Sequence, residues 1–261
     1  SLLSIREQIN MLELYHAHHS TCSQKVRLCL AEKGISFRGH LINLAKKEQL
    51  DPDYLKLNPN GVVPTLVHDG QVIIDSSVIC EYLDETFPKT SLTPQNPVER
   101  ANMRQWMRYF DEVATTAVRF PSFNMAFLPR FDGLDDKQFL EDEANVRPLR
   151  KEFFIRMGRS GFPDKDVETA IGNISKTVIR MEQALTKGPW ILGEMYTLAD
   201  IIIAPTIDRM SDLGFSTLWE EQHPLVTNWH HQIKHRPAYS VAFYEGTRLT
   251  EFLKIRRWNS K

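Results

Sequence analysis

Hydroxyl, thiol and imidazole groups are concentrated in one short segment of the chain, which reads His16-Ala-His-His-Ser-Thr-Cys-Ser-Gln-Lys-Val-Arg27. Ser20 stands at the predicted start of a helix, where backbone N–H groups and the helix dipole favour a negative charge. A hydroxyl at this position could donate a hydrogen bond to a bound thiolate. The alternative is that Ser20 and Thr21 only cap the helix.

Cys22, in the same segment, has a redox and a structural interpretation. A thioredoxin-type Cys-x-x-Cys motif would need a second cysteine where the chain has Lys25. Cys22 also shares one helical stripe with Val26, Cys29 and Leu30, which favours burial against a sheet. We therefore expect Cys22 to be structural rather than reactive.

The three histidines of the segment, His16, His18 and His19, could ligate a metal ion. Neighbouring histidines in a loop have no fixed coordination geometry, however, and no carboxylate follows at ligand spacing. We expect no metal site here.

Two further pairs of residues suit a small polar ligand. If the Val63-Pro64 bond is cis, the N–H and C=O of Val63 point outward and can pair with an extended peptide. Asp75 and Ser76 place a carboxylate, a hydroxyl and free N–H groups at one helix N-terminus. That combination suits the ammonium and carboxylate of an α-amino acid head group, although helix capping alone would also explain it.

The elements that would position these groups form an α/β pattern between residues 11 and 87. The clearest local signal is Asp69-Gly70 between two apolar runs, which is typical of a type I′ hairpin. Gly34 marks the end of a helix and Ser76 the start of another. The predicted order is β-α-β-α-β-β-α, with strands over 12–15, 36–44, 65–68 and 71–74, and helices over about 22–33, 46–56 and from 76 onward.

A different organisation follows. Prolines at 88, 94 and 97 exclude a continuous helix, so residues 88–97 are predicted to link two domains. Beyond them apolar residues recur at helical spacing without a hairpin, which predicts an all-helical domain over residues 98–261. Its best boundary signal is Thr197-Leu-Ala-Asp200, a threonine cap with an acid three residues later. The stretch 121–166 carries so many charges and breakers that no elements are assigned to it.

Composition excludes several classes of protein. The chain has 261 residues, 42% of them hydrophobic and 25% charged, which fits two ordinary globular domains. A net charge of -1 lacks the basic excess that nucleic-acid binding requires. No apolar stretch approaches the roughly 18 residues that span a bilayer. Three cysteines are too few for a disulfide framework, and residues 1–10 do not resemble a signal peptide, so we expect a cytoplasmic protein.

Taken together, four motifs resemble those of the glutathione transferases. Ser20 to Arg27 is similar to the family's serine-type active-site motif, above all to the Ser-x-Cys-Ser of the zeta class. Gln24 and Lys25 depart from that class, which usually has Trp-Arg there. The other three motifs are Glu48-Gln49 ahead of Asn58-Pro-Asn-Gly-Val-Val-Pro64, then Asp75-Ser76, and finally Thr197-Leu-Ala-Asp200.

The second half of the chain is similar to a narrower group. The insertion around Gly161-Phe-Pro163, and Trp106 through Asp111-Glu112, look more like the bacterial transferases that include the glutathione-dependent β-aryl etherases. The resemblance as a whole covers nearly the entire chain from Leu12. It implies a thioredoxin-like domain with a mixed four-stranded sheet, followed by an all-helical domain.

The resemblance also implies roles for particular residues, with glutathione as co-substrate and no metal. Ser20 would hold the glutathione thiolate and Gln49 would contact its glycine end. Val63, followed by Pro64, would pair with the cysteinyl backbone, while Asp75 with Ser76 would bind the γ-glutamyl head. A homodimer is implied as well, in which Asp111 could reach the partner's γ-glutamyl site. A solvated helix face is the alternative for Asp111.

A second substrate is expected between the histidine loop and the first helix of the helical domain. Bulky side chains there predict an aromatic-lined pocket, with most of the helix's apolar residues in the core. Such a pocket favours an aromatic electrophile, and one loop histidine could donate a hydrogen bond to the leaving oxygen. The residues concerned are His18, His19, Trp106, Tyr109 and Phe110.

The function predicted from the sequence is that of a glutathione transferase, which activates glutathione as a thiolate for attack on an apolar, aromatic electrophile. The alternative is a protein of the same fold that binds glutathione or a partner without turnover.

Overall fold

The structure is a computed structural model that describes residues 11–258. The expectation for residues 1–10 lies outside the described residues. No helix in the described range is long and apolar enough to cross a membrane.

A four-stranded sheet forms the centre of the N-terminal part. The strands are β1 (Leu12–His16), β2 (Arg38–Leu41), β3 (Thr65–His68) and β4 (Gln71–Ile74), in the spatial order β2-β1-β3-β4. Strands β1 and β2 are parallel, and the other neighbours are antiparallel. This is the mixed sheet that the resemblance implied.

The hairpin and the first helix agree closely with the sequence. Asp69 and Gly70 both have positive φ, 50° and 77°, as a type I′ turn requires. Helix α1 (Thr21–Lys33) ends at Gly34, whose φ of 65° places it in the left-handed conformation of a helix C-cap. Helix α3 (Ser76–Thr86) packs beside α1 on the sheet.

The segment between β2 and β3 differs from the prediction. Strand β2 is shorter than expected, and the single polar helix over 46–56 is replaced by a 3₁₀ turn, Glu48–Leu50, and a short helix α2 (Pro52–Leu57). Pro52 explains the break, because it has no N–H to donate and is tolerated only in the first turn of a helix.

The remainder of the described chain is helical, as predicted. Widened π-type turns interrupt it at Phe110–Thr115, Phe123–Phe127 and Leu140–Ala144, in or near the stretch that sequence patterns left unassigned. Such turns are often found at functional sites. The helices are α4 (Pro97–Tyr109), α5 (Arg119–Ser122), α6 (Asp136–Phe139), α7 (Lys151–Met157), α8 (Asp164–Ala184), α9 (Leu198–Asp212), α10 (Thr217–Glu220), α11 (Pro224–His235) and α12 (Pro237–Ala242).

Helix α9 is the buried centre of the helical part. Its N-terminus has the expected cap, since the Asp200 carboxylate accepts from the Thr197 backbone N–H at 3.0 Å. The same carboxylate accepts from the Ile191 N–H at 3.0 Å and from the Trp229 indole N–H at 2.9 Å. Three donors on one fully buried acid fix α9 against α11 and the loop before it.

Helix α1 lies between the sheet and the helical part, packed against α9 and α12. The Arg27 guanidinium donates to the Ala242 carbonyl of α12 at 2.9 Å and to the Ala17 carbonyl at 2.9 Å. It also donates to the His18 carbonyl at 2.6 Å. One buried side chain thus fixes both the histidine loop and the start of α1 against the helical part.

Candidate active site

Two adjoining cavities open beside the N-terminus of α1. The first, with an empty volume of about 940 Å³, contains five arginines and no acidic side chain, and we call it the arginine cavity. The second, about 860 Å³, contains Asp75 and Asp111 and is called the polar cavity. The residues lining both are Cys22, Val62, Val63, Arg119 and Arg150.

Ser20 immediately precedes α1 and lines the arginine cavity. Its hydroxyl oxygen accepts from the Ser23 backbone N–H at 3.1 Å, so it is the N-cap of the helix. A hydroxyl that accepts in this way keeps its own proton, and that proton has no acceptor among the described residues. Capping and donation to a ligand are therefore compatible in Ser20.

Cys22 departs from the structural interpretation that the sequence favoured. Its stripe partners Val26, Cys29 and Leu30 are fully buried, but Cys22 is only partly buried and lies in the wall between the two cavities. Burial raises the pKa of its thiol, but the nearby cations, Lys25 foremost, outweigh this and lower the pKa overall. Helical spacing predicts which residues share a face, but it does not show that burial of this face ends before Cys22.

Val63 and Pro64 line the polar cavity, and the peptide bond between them is cis. The backbone N–H and C=O of Val63 find no hydrogen-bond partner among residues 11–258. The preceding carbonyl, of Val62, accepts from the Tyr54 hydroxyl at 2.6 Å and from the Asn58 amide at 3.1 Å. The loop is thus held from behind while Val63 presents a free donor and acceptor to the cavity.

Asp75 and Ser76 occupy the opposite wall of the polar cavity. One oxygen of the Asp75 carboxylate accepts from the N–H groups of Ser77 and Val78, at 3.0 and 3.1 Å, which makes Asp75 the N-cap of α3. Its φ of 74° is unusual for a residue with a side chain. The other carboxylate oxygen has no partner in the described chain and can accept from an ammonium group.

Gln49 lies in the 3₁₀ turn and lines the arginine cavity. The residue is only 7% exposed, and its side-chain carbonyl oxygen has no hydrogen-bond partner within residues 11–258. A buried amide oxygen without a partner is costly unless a ligand or water satisfies it. Gln49 is therefore poised to bind a group that enters the cavity.

Asp111 pairs within its own chain. The Lys25 ammonium, fully buried, donates to the Asp111 carboxylate at 2.8 Å and to the Thr115 hydroxyl at 2.8 Å. The second Asp111 oxygen accepts from the Ser77 hydroxyl at the start of α3. Asp111 thus contributes to the wall of its own polar cavity instead of lying on a solvated face.

The histidines are divided among different environments. His19 lines the arginine cavity, whereas the exposed His18 bonds to the Tyr244 hydroxyl at 2.6 Å and does not line it. Burial, with Arg130 and Arg209 nearby, lowers the pKa of His19 to about 3. Burial also lowers the pKa of His16 to about 4. Among the described residues no cluster of three metal-ligating side chains occurs.

The aromatic residues expected from α4 do not line either cavity beside Ser20. Phe110 is fully buried in the main core, and the Tyr109 hydroxyl bonds to Thr177 of α8 at 3.1 Å. Trp106 lines a separate groove between α4 and α8. The expectation fails because Trp106 and Tyr109 lie against Arg180 of α8, and helical spacing alone does not tell which neighbour a face meets.

The aromatic wall comes instead from the unassigned stretch. Phe123, Phe127, Phe153 and Phe154 line the arginine cavity, and each also packs against a neighbouring ring. No sequence period reports them, because they lie on widened turns and on the short helix α7. The arginines of the same cavity, at positions 119, 130, 147, 150 and 209, were equally missed.

Residues 19–86 match the family described as "Glutathione S-transferase, N-terminal domain", and residues 164–231 match "Glutathione S-transferase, C-terminal domain". Protein LigF of Sphingobium sp. is 32% identical over 243 residues, which cover 91% of this chain and 95% of that protein. The zeta-type Glutathione S-transferase Z1 of Arabidopsis thaliana is 29% identical, with 90% of this chain and 92% of the relative covered.

Solved structures agree with these relatives. The crystal structure of Beta-etherase LigF from Sphingobium sp. superposes with a TM-score of 0.80 at 30% identity, covering 89% of this chain and 98% of that one. A glutathione S-transferase from Rhodospirillum rubrum gives a TM-score of 0.71 at 25% identity, with coverages of 95% and 97%.

Proposed function

Because the chain belongs to the glutathione S-transferase family, we propose that the polar cavity holds glutathione and that the arginine cavity holds the electrophile. The predicted fold is confirmed, and so is the likeness to both the zeta class and the bacterial β-etherase group. The protein is a glutathione-dependent transferase that acts on an apolar substrate. The assignment of individual residues below is our proposal.

Glutathione fits the groups that the polar cavity leaves unsatisfied. The free oxygen of Asp75 accepts the γ-glutamyl ammonium, and the N-terminus of α3 at Ser76 takes the γ-glutamyl carboxylate. The free N–H and C=O of Val63 pair with the cysteinyl backbone in the manner of strand addition. The glycyl end reaches into the neighbouring arginine cavity, where the buried oxygen of Gln49 accepts from its N–H. The unpaired main chain of Val63 is the single observation that carries this placement.

The thiol of glutathione then lies by the wall where the cavities meet. A free thiol with a pKa of about 8.5 is only about 3% thiolate at pH 7, and a two-unit depression, about 2.7 kcal/mol, raises this to roughly 75%. Ser20 donates its free proton to the sulfur, and the N-terminus of α1 favours the negative charge. Arg119 and Arg150, which line both cavities, add positive charge at the same place.

The reaction is attack of the thiolate on an activated carbon of an aromatic compound. A carbon–sulfur bond forms while a carbon–halogen or carbon–oxygen bond breaks, and the halide or phenolate leaves with the electron pair. The phenylalanine wall of the arginine cavity supports an aromatic substrate, since burial gains roughly 25 cal/mol per Å² of apolar area. Similarity to Beta-etherase LigF favours ether cleavage over halide displacement.

We test this function by retention on immobilised glutathione, followed by turnover of 1-chloro-2,4-dinitrobenzene and of a phenacyl aryl ether. Conjugation above the uncatalysed rate is expected for both compounds. Retention without turnover of either compound contradicts the proposal and favours the alternative of a glutathione-binding protein without catalysis.

The remaining proposals concern context. We propose a cytoplasmic homodimer with an N-terminal domain over residues 11–87, a linker over 88–97 and a helical domain from residue 98 to 261. Sedimentation at micromolar concentration that gives only the 30.3 kDa monomer contradicts the dimer. The trans contact predicted for Asp111 stays a prediction; within its own chain, Asp111 is paired with Lys25 and Ser77.

A further inference from the structure

The arginine cavity contains more positive charge than glutathione can balance. Its five arginines face no acidic side chain across the cavity. Arg147 is already paired with Glu143, at 3.2 Å. Arg119 and Arg150 line both cavities, at the wall where the proposed function places the thiolate of glutathione. The other two arginines, Arg130 and Arg209, form no ion pair with any residue between 11 and 258.

Arg130 and Arg209 contact the same residue, His19, from different helical segments. Arg130 donates to the ring Nε2 of His19 at 3.1 Å, and Arg209 donates to the His19 carbonyl. Both line the arginine cavity and neither lines the polar cavity. Both guanidinium groups therefore lie at the His19 end of the arginine cavity.

Neither guanidinium has a carboxylate oxygen within 4.0 Å among the described residues. The acids nearest to Arg209 along its helix are engaged elsewhere, because Asp208 accepts from Tyr239 at 2.5 Å and Asp212 accepts from the Leu249 N–H at 2.7 Å. Arg209 is only 6% exposed, and burial lowers its pKa to about 10 even though the charges of Asp212 and Asp208 partly offset this, so its charged form is costly there. A ligand that brings an anion would remove that cost.

We propose, on the basis of the function above, that the electrophile is an aromatic compound that carries a carboxylate, which Arg130 and Arg209 bind at the His19 end of the cavity. The phenylalanine wall receives the ring. A guanidinium binds a carboxylate through two parallel N–H···O bonds, which a neutral substituent cannot accept with the same strength. The geometry thus selects anionic over neutral aromatic electrophiles.

The proposal is tested with two matched substrates, 4-chloro-3,5-dinitrobenzoate and 4-chloro-3,5-dinitrobenzamide, at saturating glutathione. Both lose chloride from the same ring position, so each enzymatic rate is divided by its own uncatalysed rate. The corrected kcat/KM of the benzoate should exceed that of the benzamide by about ten-fold or more, as a charge-assisted hydrogen bond is worth about 1.5–3 kcal/mol. The preference should appear mainly in KM.

Arg130→Gln should abolish the preference, because it lowers the corrected kcat/KM of the benzoate far more than that of the benzamide. Arg130→Lys, which keeps the charge but loses the planar fork, should retain part of the preference. Arg104→Gln removes the same charge from an exposed side chain paired with Glu81, outside the cavity, and should keep the full preference. Equal loss for both substrates in Arg130→Gln contradicts a carboxylate site.

A binding measurement separates this proposal from the proposed function. Calorimetric titration of 3,5-dinitrobenzoate and 3,5-dinitrobenzamide, which have no leaving group, is carried out with the protein saturated by S-methylglutathione. Tighter binding of the benzoate, lost in Arg130→Gln, supports the carboxylate site even in a protein that turns over neither chloro compound. Equal binding of the two overturns the carboxylate site even where conjugation proceeds.

Discussion

The polar cavity and the arginine cavity share a wall at Cys22, Val63 and Arg119, but they are built in different ways. The polar cavity presents main-chain groups and short side chains at the ends of regular elements, such as Val63 before β3 and Asp75 before α3. The arginine cavity presents long side chains from widened turns and short helices. The first arrangement suits one invariant peptide, whereas the second can change its lining without changing the fold.

This contrast predicts that substitutions in the two cavities will change different kinetic parameters. Changes in the polar cavity should act on the KM for glutathione. Changes in the wall should act on the ionisation of its thiol, and changes in the arginine cavity should act on the choice of electrophile. The predictions below test that division, beginning with the largest expected effect.

Asp75→Ala should raise the KM for glutathione by about 10- to 100-fold, because it removes a charged hydrogen-bond partner worth about 1.5–3 kcal/mol. The turnover number at saturating glutathione should change little. Asp75→Asn is the matched control, since asparagine caps a helix as well as aspartate does but carries no charge. A normal KM in the asparagine variant would show that Asp75 serves the helix and not the ligand.

Ser20→Ala should reduce turnover at neutral pH by about ten-fold or more, because the thiol of bound glutathione loses a donor and its pKa rises. The rate should recover as pH is raised, and glutathione affinity should change little. Ser20→Gly separates the two roles of the residue, since glycine costs a helix N-cap only a few tenths of a kcal/mol. Unchanged activity in Ser20→Ala, with loss in Cys22→Ala instead, would falsify the assignment of Ser20.

The difference between the cavities also explains how much the sequence could predict. Ser20, Val63 and Asp75 stand next to signals that local chemistry determines: a helix start, a proline and a helix cap. Arg130 and Phe153 carry no such signal, because their neighbours are set by how α5 to α7 fold back on one another. Trp106 illustrates the same limit for a residue that the sequence did select. It packs on the main core as helical spacing predicts, but its ring contacts Arg180 of α8 and lines neither cavity beside Ser20.

Arg150→Gln should have a smaller effect: a loss of roughly 0.6 kcal/mol of charge stabilisation at the wall raises the pKa of the bound thiol by about 0.4, which lowers turnover at pH 7 by about 1.4-fold. The ascending limb of the pH–rate profile should move to higher pH. Arg156→Gln is the control, because Arg156 is an exposed arginine paired with Asp166. A changed KM for glutathione with an unmoved pH profile would show that Arg150 binds the peptide part of glutathione and does not stabilise its thiolate.

The smallest effect is expected from the histidine that the sequence suggested as a donor to the leaving oxygen. Burial holds the pKa of His19 at about 3, so above that pH the ring is neutral, and its Nε2 accepts from Arg130. His19 is therefore not protonated between pH 5 and 8, and cleavage of an aryl ether should show no descending limb from its titration in that range. His18→Gln should leave ether cleavage within about two-fold, because the His18 ring is held by Tyr244 outside the cavity. A rate that falls with an apparent pKa between 6 and 7 as pH rises would instead identify a histidine acid, and with it a leaving group protonated from the loop rather than by water.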